Sequence, residues 1–327
     1  MIGWLAMMTN DFMKLMGKGK RCWKHIQTKE DRRDLTEFEQ LFRQNYCQKE
    51  GSVIIPEILH FVWLGPKSYP SVSHKYLQGW INYHPNWSVI FWTDSFRKDL
   101  PEGVQQKIVG PEFLGEYLPL YESTENFGER SDLVRLLALD AMGGVYVDHD
   151  MECRICFGPL HKIYPFYGGL LTPGNPVISR SAIVRNSIIG AQKGDPILKI
   201  ALKKMEERWY KIAETYPGMD VNSVKKRVTL RSFIAFHEAV LETIRDGGFK
   251  GIVFPAGCFN EIEREFGIFA KEDMVGAWYT GEMSHHEEYL KDRLHRLMKR
   301  LHLIGALLGV GLLLVSAAVI FIWIKVR

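Results

Sequence analysis

Short apolar runs alternate with amphipathic stretches along the middle of this chain, beginning near residue 52. The run ILHFVWLG, after Pro56, and the run SVIFWT, after Trp87, have the length and the β-branched and aromatic content of buried strands. Residues 73–83, which lie between the two runs, have a helical pattern. The spacing therefore predicts a strand, a helix and a strand in succession.

A second helix and another strand are predicted over residues 128–148. The sequence GERSDLVRLLALDAM at 128–142 predicts a helix whose leucines at 133, 136, 137 and 139 face inward. Gly143 and Gly144 end this helix, and VYVD then forms a short strand. Strands that alternate with helices indicate an α/β domain with a largely parallel sheet.

The last apolar stretch is much longer than the others. Residues 303–324, LIGALLGVGLLLVSAAVIFIWI, form a run of 22 residues with no charge and no proline. At about 1.5 Å per residue the run reaches roughly 33 Å, enough to cross the hydrocarbon core of a bilayer. Trp323 lies at one end, and a basic juxtamembrane segment, residues 291–302, precedes the other. We predict a single-pass C-terminal anchor, with the body on the cytoplasmic side because positive charge concentrates before the helix.

Residues 1–50 form a basic, amphipathic segment that is apolar only in short pieces. The segment lacks the continuous apolar region and cleavage site of a signal peptide. Seven apolar side chains can share one helix face above a basic tail: Ile2, Trp4, Leu5, Met8, Phe12, Leu15 and Met16. Two interpretations of this face stay open, contact with a membrane surface or packing on the folded body.

Composition excludes several classes of protein. Hydrophobic residues make up 46% and charged residues 24% of the 327 residues, which is ordinary for a globular chain and excludes disorder, collagen-like repeats and a small disulfide scaffold. The five cysteines have no regular spacing, which suits a reducing compartment. Cys153 and Cys156 form a lone CxxC without the two further ligands that zinc requires, so we interpret them as structural thiols.

The net charge of +4 is unevenly distributed. Residues 1–50 hold 10 Lys/Arg against 7 Asp/Glu, residues 291–327 hold 7 against 1, and residues 51–290 hold 25 against 30. Proteins that bind nucleic acid usually carry positive charge on the folded body, so this distribution argues against a nucleic-acid partner. Basic flanks beside an apolar helix fit anionic lipid headgroups better.

The most informative segment combines a helix, a glycine turn and two aspartates. Asp132 and Arg135 lie three residues apart and share one face of the predicted helix. The following strand ends in Asp148 and Asp150, at the carboxyl edge where open α/β sheets bind ligands. Two carboxylates at i and i+2 point the same way on a strand and form an oxygen-rich edge suited to Mg²⁺ or Mn²⁺. Such an ion can bridge two phosphates.

This combination resembles the family-32 glycosyltransferases, the sugar-transferring group with a DXD motif that includes inositol phosphoceramide mannosyltransferases. The similarity extends over about residues 53–290, and these segments carry it: IPEILHFVWLG at 55–65, Trp80 to Asp94, Arg130 to Arg135, GGVYVDHD at 143–150, NSIIGA at 186–191, Asp195-Pro196 and His285-His286. The resemblance implies a GT-A (Rossmann-like) fold, a nucleotide-sugar donor, a Mn²⁺ or Mg²⁺ cofactor and retention of anomeric configuration. Phe61 departs from the family pattern, as does the single tail helix, and this leaves the acceptor open.

The resemblance also implies roles for four residues that would contact the donor. Trp63 would stack on the nucleobase, the alternative being a core aromatic. Asp132 and Arg135 would touch hydroxyls of the ribose or the sugar, although Arg135 can instead brace the carboxylates. Asn186 would supply an amide near the transferred sugar.

Four further residues are candidate ligands of the metal ion. Asp150 would bind it directly, and Asp148 would contact either the ion or the ribose of the nucleotide. One of the adjacent histidines His285 and His286 would add a late ligand, unless both are ordinary surface residues.

These observations predict a catalytic domain over residues 51–290 and an anchor over 303–324. The expected function is that of a membrane-anchored, metal-dependent, retaining glycosyltransferase. It would move a hexose, such as mannose, from GDP-mannose or a UDP-sugar to a lipid, lipid-linked or glycan acceptor. Two alternatives stay open: a non-catalytic, membrane-tethered nucleotide-sugar-binding module, and a metal-dependent phosphohydrolase that uses the same aspartates.

Overall fold

The computed structural model describes residues 11–46, 51–174 and 180–273. They belong to one compact unit, residues 1–273, and a second unit comprises residues 274–327. The second unit contains the predicted juxtamembrane segment at 291–302, the predicted anchor at 303–324 and the pair His285-His286. All of these lie outside the described residues. Within the described ranges, no helix has both the length and the apolar character that a bilayer crossing requires.

Eleven strands are found in the described part of the chain. They are β1 Ile58–Val62, β2 Ser88–Thr93, β3 Val104–Ile108, β4 Gly144–Val147, β5 Met151–Cys153, β6 Phe166–Gly169, β7 Ile188–Ala191, β8 Ile252–Phe254, β9 Glu261–Ile262, β10 Glu265–Phe266 and β11 Ala270–Glu272. The strands predicted after Pro56, after Trp87 and after the glycine pair are thereby confirmed as β1, β2 and β4.

Ten α-helices accompany them within the described residues. They are α1 Phe12–Leu15, α2 Lys29–Asn45, α3 Ser71–Tyr83, α4 Pro111–Leu114, α5 Leu118–Glu122, α6 Phe127–Met142, α7 Gly158–Ile163, α8 Pro196–Thr215, α9 Val221–Val228 and α10 Ile234–Arg245. One π-helical turn, Thr229–Phe233, joins α9 to α10. Both helices predicted before the DXD motif are present, and α3 begins two residues earlier than expected.

The central sheet has seven strands in the order β3-β2-β1-β4-β7-β6-β8. β3, β2, β1 and β4 are mutually parallel, β7 is antiparallel to both of its neighbours, and β6 pairs parallel with β8. The prediction of an α/β fold with a largely parallel sheet is therefore confirmed. The topology brings the carboxyl ends of β1, β2 and β4 to one edge.

Helix α6 carries Asp132 and Arg135, the D-x-x-R pair. Residues next to the helix determine where it begins and ends. The Asn126 side chain caps it by accepting from the Glu129 N–H at 3.0 Å. Gly143 follows the helix at a φ of +67°, in the left-handed region that ends many helices. The four leucines predicted to face inward are all buried, and the helix packs against β1 and β4.

The N-terminal segment packs on the body over its described residues. Phe12, Leu15 and Met16 are buried, α1 contacts α2, and α2 packs against β8. Asp31 accepts hydrogen bonds from the backbone N–H groups of Ser181 and Ala182, at 2.7 and 2.9 Å. Of the two interpretations left open by the sequence, packing on the body describes residues 12–45.

Candidate active site

The candidate site begins at the glycine turn that leads into β4. Gly143 and Gly144 both have positive φ, at +67° and +111°. A Cβ on Gly144 would lie 2.6 Å from the carbonyl oxygen of Ile58, so only glycine lets β4 approach β1 this closely. His60 Nε2 lies 2.8 Å from the Gly143 carbonyl and braces the turn. This backbone directs the two aspartates that follow β4 toward the carboxyl edge of the sheet.

Three carboxylates meet at this edge: Asp148, Asp150 and Glu272. One oxygen of each lies within 4.8 Å of the other two. Glu272 arrives from β11, which pairs antiparallel with β5 so that Glu272 stands opposite Met151. The two aspartates are brought together, but they follow β4 in a turn rather than continue the strand as predicted, and sequence reasoning missed Glu272. The three-residue strand β11 has no periodicity that could have revealed it.

Glu272 also pairs with a buried arginine. Arg185, fully buried, donates from Nη2 to Glu272 Oε2 at 2.5 Å. Burial raises the pKa of Glu272 to about 7; Arg185 opposes this rise, and the charges of Asp150 and Asp148 add to it. Three crowded carboxylates with one arginine form a hard, electron-rich donor set, which fits Mn²⁺ or Mg²⁺.

Arg135 joins the D-x-x-R helix to the DXD strand. Its guanidinium donates to Asp132 Oδ1 at 2.6 Å and to the carbonyl of Asn186 at 2.6 Å, and it lies 3.3 Å from Asp148 Oδ1. It also lies over the ring of Tyr146, whose hydroxyl donates to Asp148. These contacts agree with the alternative role predicted for Arg135, in which it braces the carboxylates.

Asp132 is buried among three donors. Arg135 and the Asn186 amide, at 3.3 Å, share its Oδ1, and the Ser232 hydroxyl donates to its Oδ2. Burial raises the pKa of Asp132 to about 6, against the lowering effect of Arg135 and Ser232. Ser232 lies in the π-helical turn, a rare conformation that often occurs at functional sites. Sequence reasoning missed Ser232, since no local pattern marks a π turn.

Trp63 lies immediately after β1, beside the histidine of the DXD motif. Its ring packs edge-on against His149 and Tyr69, with centroids 5.0 and 5.4 Å away, and only 7% of the residue is exposed. The indole N–H donates to the Lys67 carbonyl at 2.8 Å, which folds residues 63–67 into a loop. Trp63 is thus near the site and largely covered, and its contact with a base stays a prediction.

A second layer of contacts fixes the same loop from β2. The carboxylate of Asp94 accepts from the Gly65 N–H at 2.7 Å. Arg97 donates to the carbonyls of Gly65 and Lys67, at 2.7 and 2.9 Å. The loop after β1 is therefore held rigidly at the edge that carries the acidic cluster.

Comparison with known proteins agrees with this geometry. Residues 70–167 match the family described as a glycosyltransferase sugar-binding region containing a DXD motif. Over 152 residues the chain is 28% identical to inositol phosphoceramide mannosyltransferase 3 of Schizosaccharomyces pombe, covering 45% of this chain and 36% of that protein. It is 28% identical over 154 residues to an uncharacterized glycosyltransferase of Acanthamoeba polyphaga mimivirus, covering 46% and 56%.

A bacterial relative and two solved structures extend the comparison. The chain is 26% identical over 180 residues to the subversion of eukaryotic traffic protein A of Legionella pneumophila, covering 51% of this chain and 27% of that protein. The PaToxG glycosyltransferase superposes with a TM-score of 0.45 at 18% identity, covering 66% and 79%. The galactosyltransferase LgtC gives 0.32 at 10%, covering 69% and 88%. Both superpositions are distant.

These sequence matches show that the chain is similar to glycosyltransferases that contain a DXD sugar-binding region, including relatives named as inositol phosphoceramide mannosyltransferases. The matched segments span 56%, 27% and 36% of the three relatives, less than two thirds of each. The family-model match includes α3, the D-x-x-R helix and both aspartates of the DXD motif.

Proposed function

We propose that this protein is a retaining, metal-dependent glycosyltransferase of GT-A fold that moves a hexose from a nucleotide sugar to a lipid or lipid-linked acceptor. The meeting of Asp148, Asp150 and Glu272 within 4.8 Å, next to the buried Asp132–Arg135 pair, carries the proposal. It combines a cation-binding edge with groups that can bind hydroxyls. GDP-mannose and UDP-hexoses are the candidate donors, and the relatives that are named as inositol phosphoceramide mannosyltransferases support the first.

The acidic cluster supplies the residues that would hold a divalent ion. Asp150 and Asp148 would bind it, with Glu272 completing the oxygen set. When bound, Mn²⁺ or Mg²⁺ neutralises charge on the diphosphate leaving group. One of the adjacent histidines His285 and His286 remains proposed as a late ligand.

Arg135 organises the carboxylates around the donor. It binds Asp132 and lies 3.3 Å from Asp148, so it keeps both carboxylates in fixed positions while the donor binds. Preorganised charges of this kind stabilise developing charge without reorganisation during the reaction. The proposed contacts of Asp132 and Asn186 are with hydroxyls of the donor.

Retention of configuration is proposed from the resemblance to the family-32 enzymes, and the arrangement of the carboxylates supports one of its two possible mechanisms. A double displacement needs a free carboxylate as the nucleophile. Asp132 is engaged by Arg135, Asn186 and Ser232, and the cluster carboxylates would hold the cation. We therefore infer a front-face reaction, in which the leaving phosphate accepts the proton of the incoming acceptor hydroxyl.

The acceptor is proposed from the anchor and its basic flank. Residues 303–324 would span the bilayer, and five Lys/Arg in residues 291–300 would lie near anionic headgroups, each contributing about 1 kcal/mol. Positive charge before the helix favours a body on the cytoplasmic side. A lipid headgroup would then reach the donor site along the membrane surface.

The decisive experiment measures sugar release from a panel of GDP-mannose, UDP-glucose and UDP-galactose with Mn²⁺, with and without vesicles that contain candidate lipid acceptors. The proposal expects one donor to be consumed and the lipid to be glycosylated. Phosphohydrolysis would proceed without any acceptor and release sugar phosphate. A non-catalytic module would bind a donor without turnover.

Deletion of residues 301–327 tests the anchor. The truncated protein should no longer sediment with membranes. It should still hydrolyse the donor slowly, and it should transfer poorly to an acceptor embedded in a bilayer. Full transfer by the truncated protein would contradict the membrane-surface model, and protease protection of the body in sealed vesicles would reverse the topology.

A further inference from the structure

Unpaired polar atoms are concentrated around the candidate site. Seven buried side-chain oxygen or nitrogen atoms of the described residues have no hydrogen-bond partner. Such atoms are rare in native proteins and cost free energy. Three of them belong to adjoining residues: Nε of Arg135, Oδ1 of Asn186 and Oγ of Ser187. Two of these residues already have roles in the proposed site, and Ser187 has none.

Ser187 stands directly beside the first aspartate of the DXD motif. In the antiparallel pair of β4 and β7, Val147 lies opposite Ile188, and one further step along that register brings Asp148 opposite Ser187. The Asp148 N–H donates to the Ser187 carbonyl at 2.8 Å, as this step requires. Opposed residues of antiparallel strands project to the same side of the sheet, with Cβ atoms about 4.5–5.5 Å apart.

The Ser187 hydroxyl is buried and has no hydrogen-bond partner. The residue is 2% exposed, so bulk water does not solvate its oxygen. Its neighbours are already committed, because Arg135 Nη1 donates to the Asn186 carbonyl at 2.6 Å and the Asn186 amide donates to Asp132 at 3.3 Å. An oxygen that lacks a protein partner at this position is suited to a ligand.

The chemistry of the three atoms selects the kind of ligand. Arg135 Nε can only donate, Asn186 Oδ1 can only accept, and a serine hydroxyl does both. Phosphate oxygens accept and would leave Asn186 Oδ1 unpaired. A sugar hydroxyl both donates and accepts, so sugar hydroxyls can satisfy all three atoms.

We propose that Ser187 binds a hydroxyl of the donor sugar and helps to determine which sugar is accepted. This inference rests on the proposed function, since it requires a nucleotide sugar at the acidic edge. The proposal predicts that Ser187→Ala affects the stability of the ligand-free protein and the binding of the sugar in opposite directions. Removing an unpaired buried hydroxyl leaves the ligand-free protein equally stable or more stable, while the bound sugar loses a hydrogen bond.

The test compares the full-length protein with Ser187→Ala in Mn²⁺. Equilibrium binding is measured for GDP and GDP-mannose, and for UDP and UDP-glucose, alongside thermal unfolding without ligand. Affinity for the nucleotide sugar that the wild type binds should fall about three- to tenfold, the usual effect of one hydrogen bond. Affinity for the matching nucleoside diphosphate and the midpoint of thermal unfolding should not fall.

Ser181→Ala is the matched control, because Ser181 is also a buried serine but its Oγ lies 2.9 Å from the His25 carbonyl. This variant should lose thermal stability and keep its affinity for the nucleotide sugar. If Ser187→Ala behaves like Ser181→Ala, the hydroxyl is structural and the inference is wrong. If Ser187→Ala weakens nucleoside diphosphate binding as much as nucleotide-sugar binding, the contact is not with the sugar and the inference is equally wrong.

Asp150→Ala in the same assay distinguishes a failure of the Ser187 assignment from a failure of the proposed function. Loss of Mn²⁺-dependent binding in Asp150→Ala with no effect of Ser187→Ala overturns the role of Ser187 and leaves the proposed function standing. Unchanged binding in Asp150→Ala, or no nucleotide-sugar binding by the wild type, overturns the proposed function itself.

Discussion

Helix α6 carries two buried charge clusters that differ in one respect. At its first turn, Glu129 binds Arg227 at 2.9 Å and Arg231 at 3.1 Å, and it accepts a further hydrogen bond from the Thr124 hydroxyl. One turn later, Asp132 and Arg135 form the cluster that reaches the DXD motif. Both clusters are buried, and both pair carboxylates with arginines.

The difference lies in how completely the polar atoms are used. Arg231 donates to the Trp209 carbonyl and Arg227 to the carbonyls of Tyr216 and Gly218, and none of the unpaired buried atoms among the described residues belongs to the Glu129 cluster. The Asp132 cluster retains unpaired atoms on Arg135 and Asn186.

A closed network of this kind ties parts of the fold together, and an open one can receive a ligand. Glu129 joins α6 to α9 and to the π-helical turn, and Ser232 of that turn donates to Asp132. The closed cluster therefore supports the open one. Mutations in the first should change stability, and mutations around the second should change binding and turnover.

Glu129→Ala should have the largest effect on stability. Its removal leaves two buried guanidinium groups without their anion, and breaking a buried ion pair in this way costs about 3–5 kcal/mol. Urea unfolding monitored by tryptophan fluorescence measures the loss. Glu238→Ala is the control, since Glu238 pairs with Arg208 at 2.6 Å near the surface and should cost about 0–1 kcal/mol. Equal losses in the two variants would contradict the comparison.

Asp150→Ala should have the largest effect on turnover. Loss of a carboxylate would leave the proposed divalent cation under-coordinated, and we expect transfer to fall about 10²- to 10³-fold, the range for losing one electrostatic contact to the transition state. Donor binding should also lose its dependence on Mn²⁺, while the urea midpoint stays close to that of the wild type. The transfer rate and binding titrations with and without EDTA check this.

Glu152→Ala provides the matched control, because Glu152 lies two residues further along and its nearest cation is Arg154, 3.6 Å away at a partly exposed position. It should keep normal turnover and normal Mn²⁺ dependence. Near-normal turnover in both Asp148→Ala and Asp150→Ala would refute the metal assignment.

Trp63→Ala should have a smaller effect than Glu129→Ala or Asp150→Ala. It tests the edge of the site, where the Trp63 ring packs against His149. If the ring contacts the base, nucleotide binding should weaken by about 1–3 kcal/mol, the range for stacking of a base on an aromatic side chain. Calorimetric titration with GDP and UDP measures this, and thermal unfolding is recorded on the same samples. A large loss of stability with unchanged nucleotide affinity would assign Trp63 to the core, where its contacts with Tyr69 and His149 would be its whole role.

The sequence by itself determined the elements whose information is local. The i, i+3 spacing of Asp132 and Arg135, the i, i+2 spacing of Asp148 and Asp150, and the glycine pair each describe a geometry within a few residues. The structure has these residues in those arrangements. For Asp132 and Arg135 local spacing suffices because helix periodicity fixes which side chains share a face. Asp148 and Asp150 follow β4 rather than continue it, and they stay close because they are near neighbours in the chain.

Only the tertiary structure decided which distant residues complete the site. Ser232 lies 100 residues from Asp132, and Glu272 lies 87 residues from Arg185, the cation that holds it. Glu272 comes from a three-residue strand and Ser232 from a π-helical turn, and neither element has a periodicity that a sequence displays. Their positions depend on the pairing of β5 with β11 and on the packing of α6 and α9, which are settled by burial over the whole domain rather than by neighbouring residues.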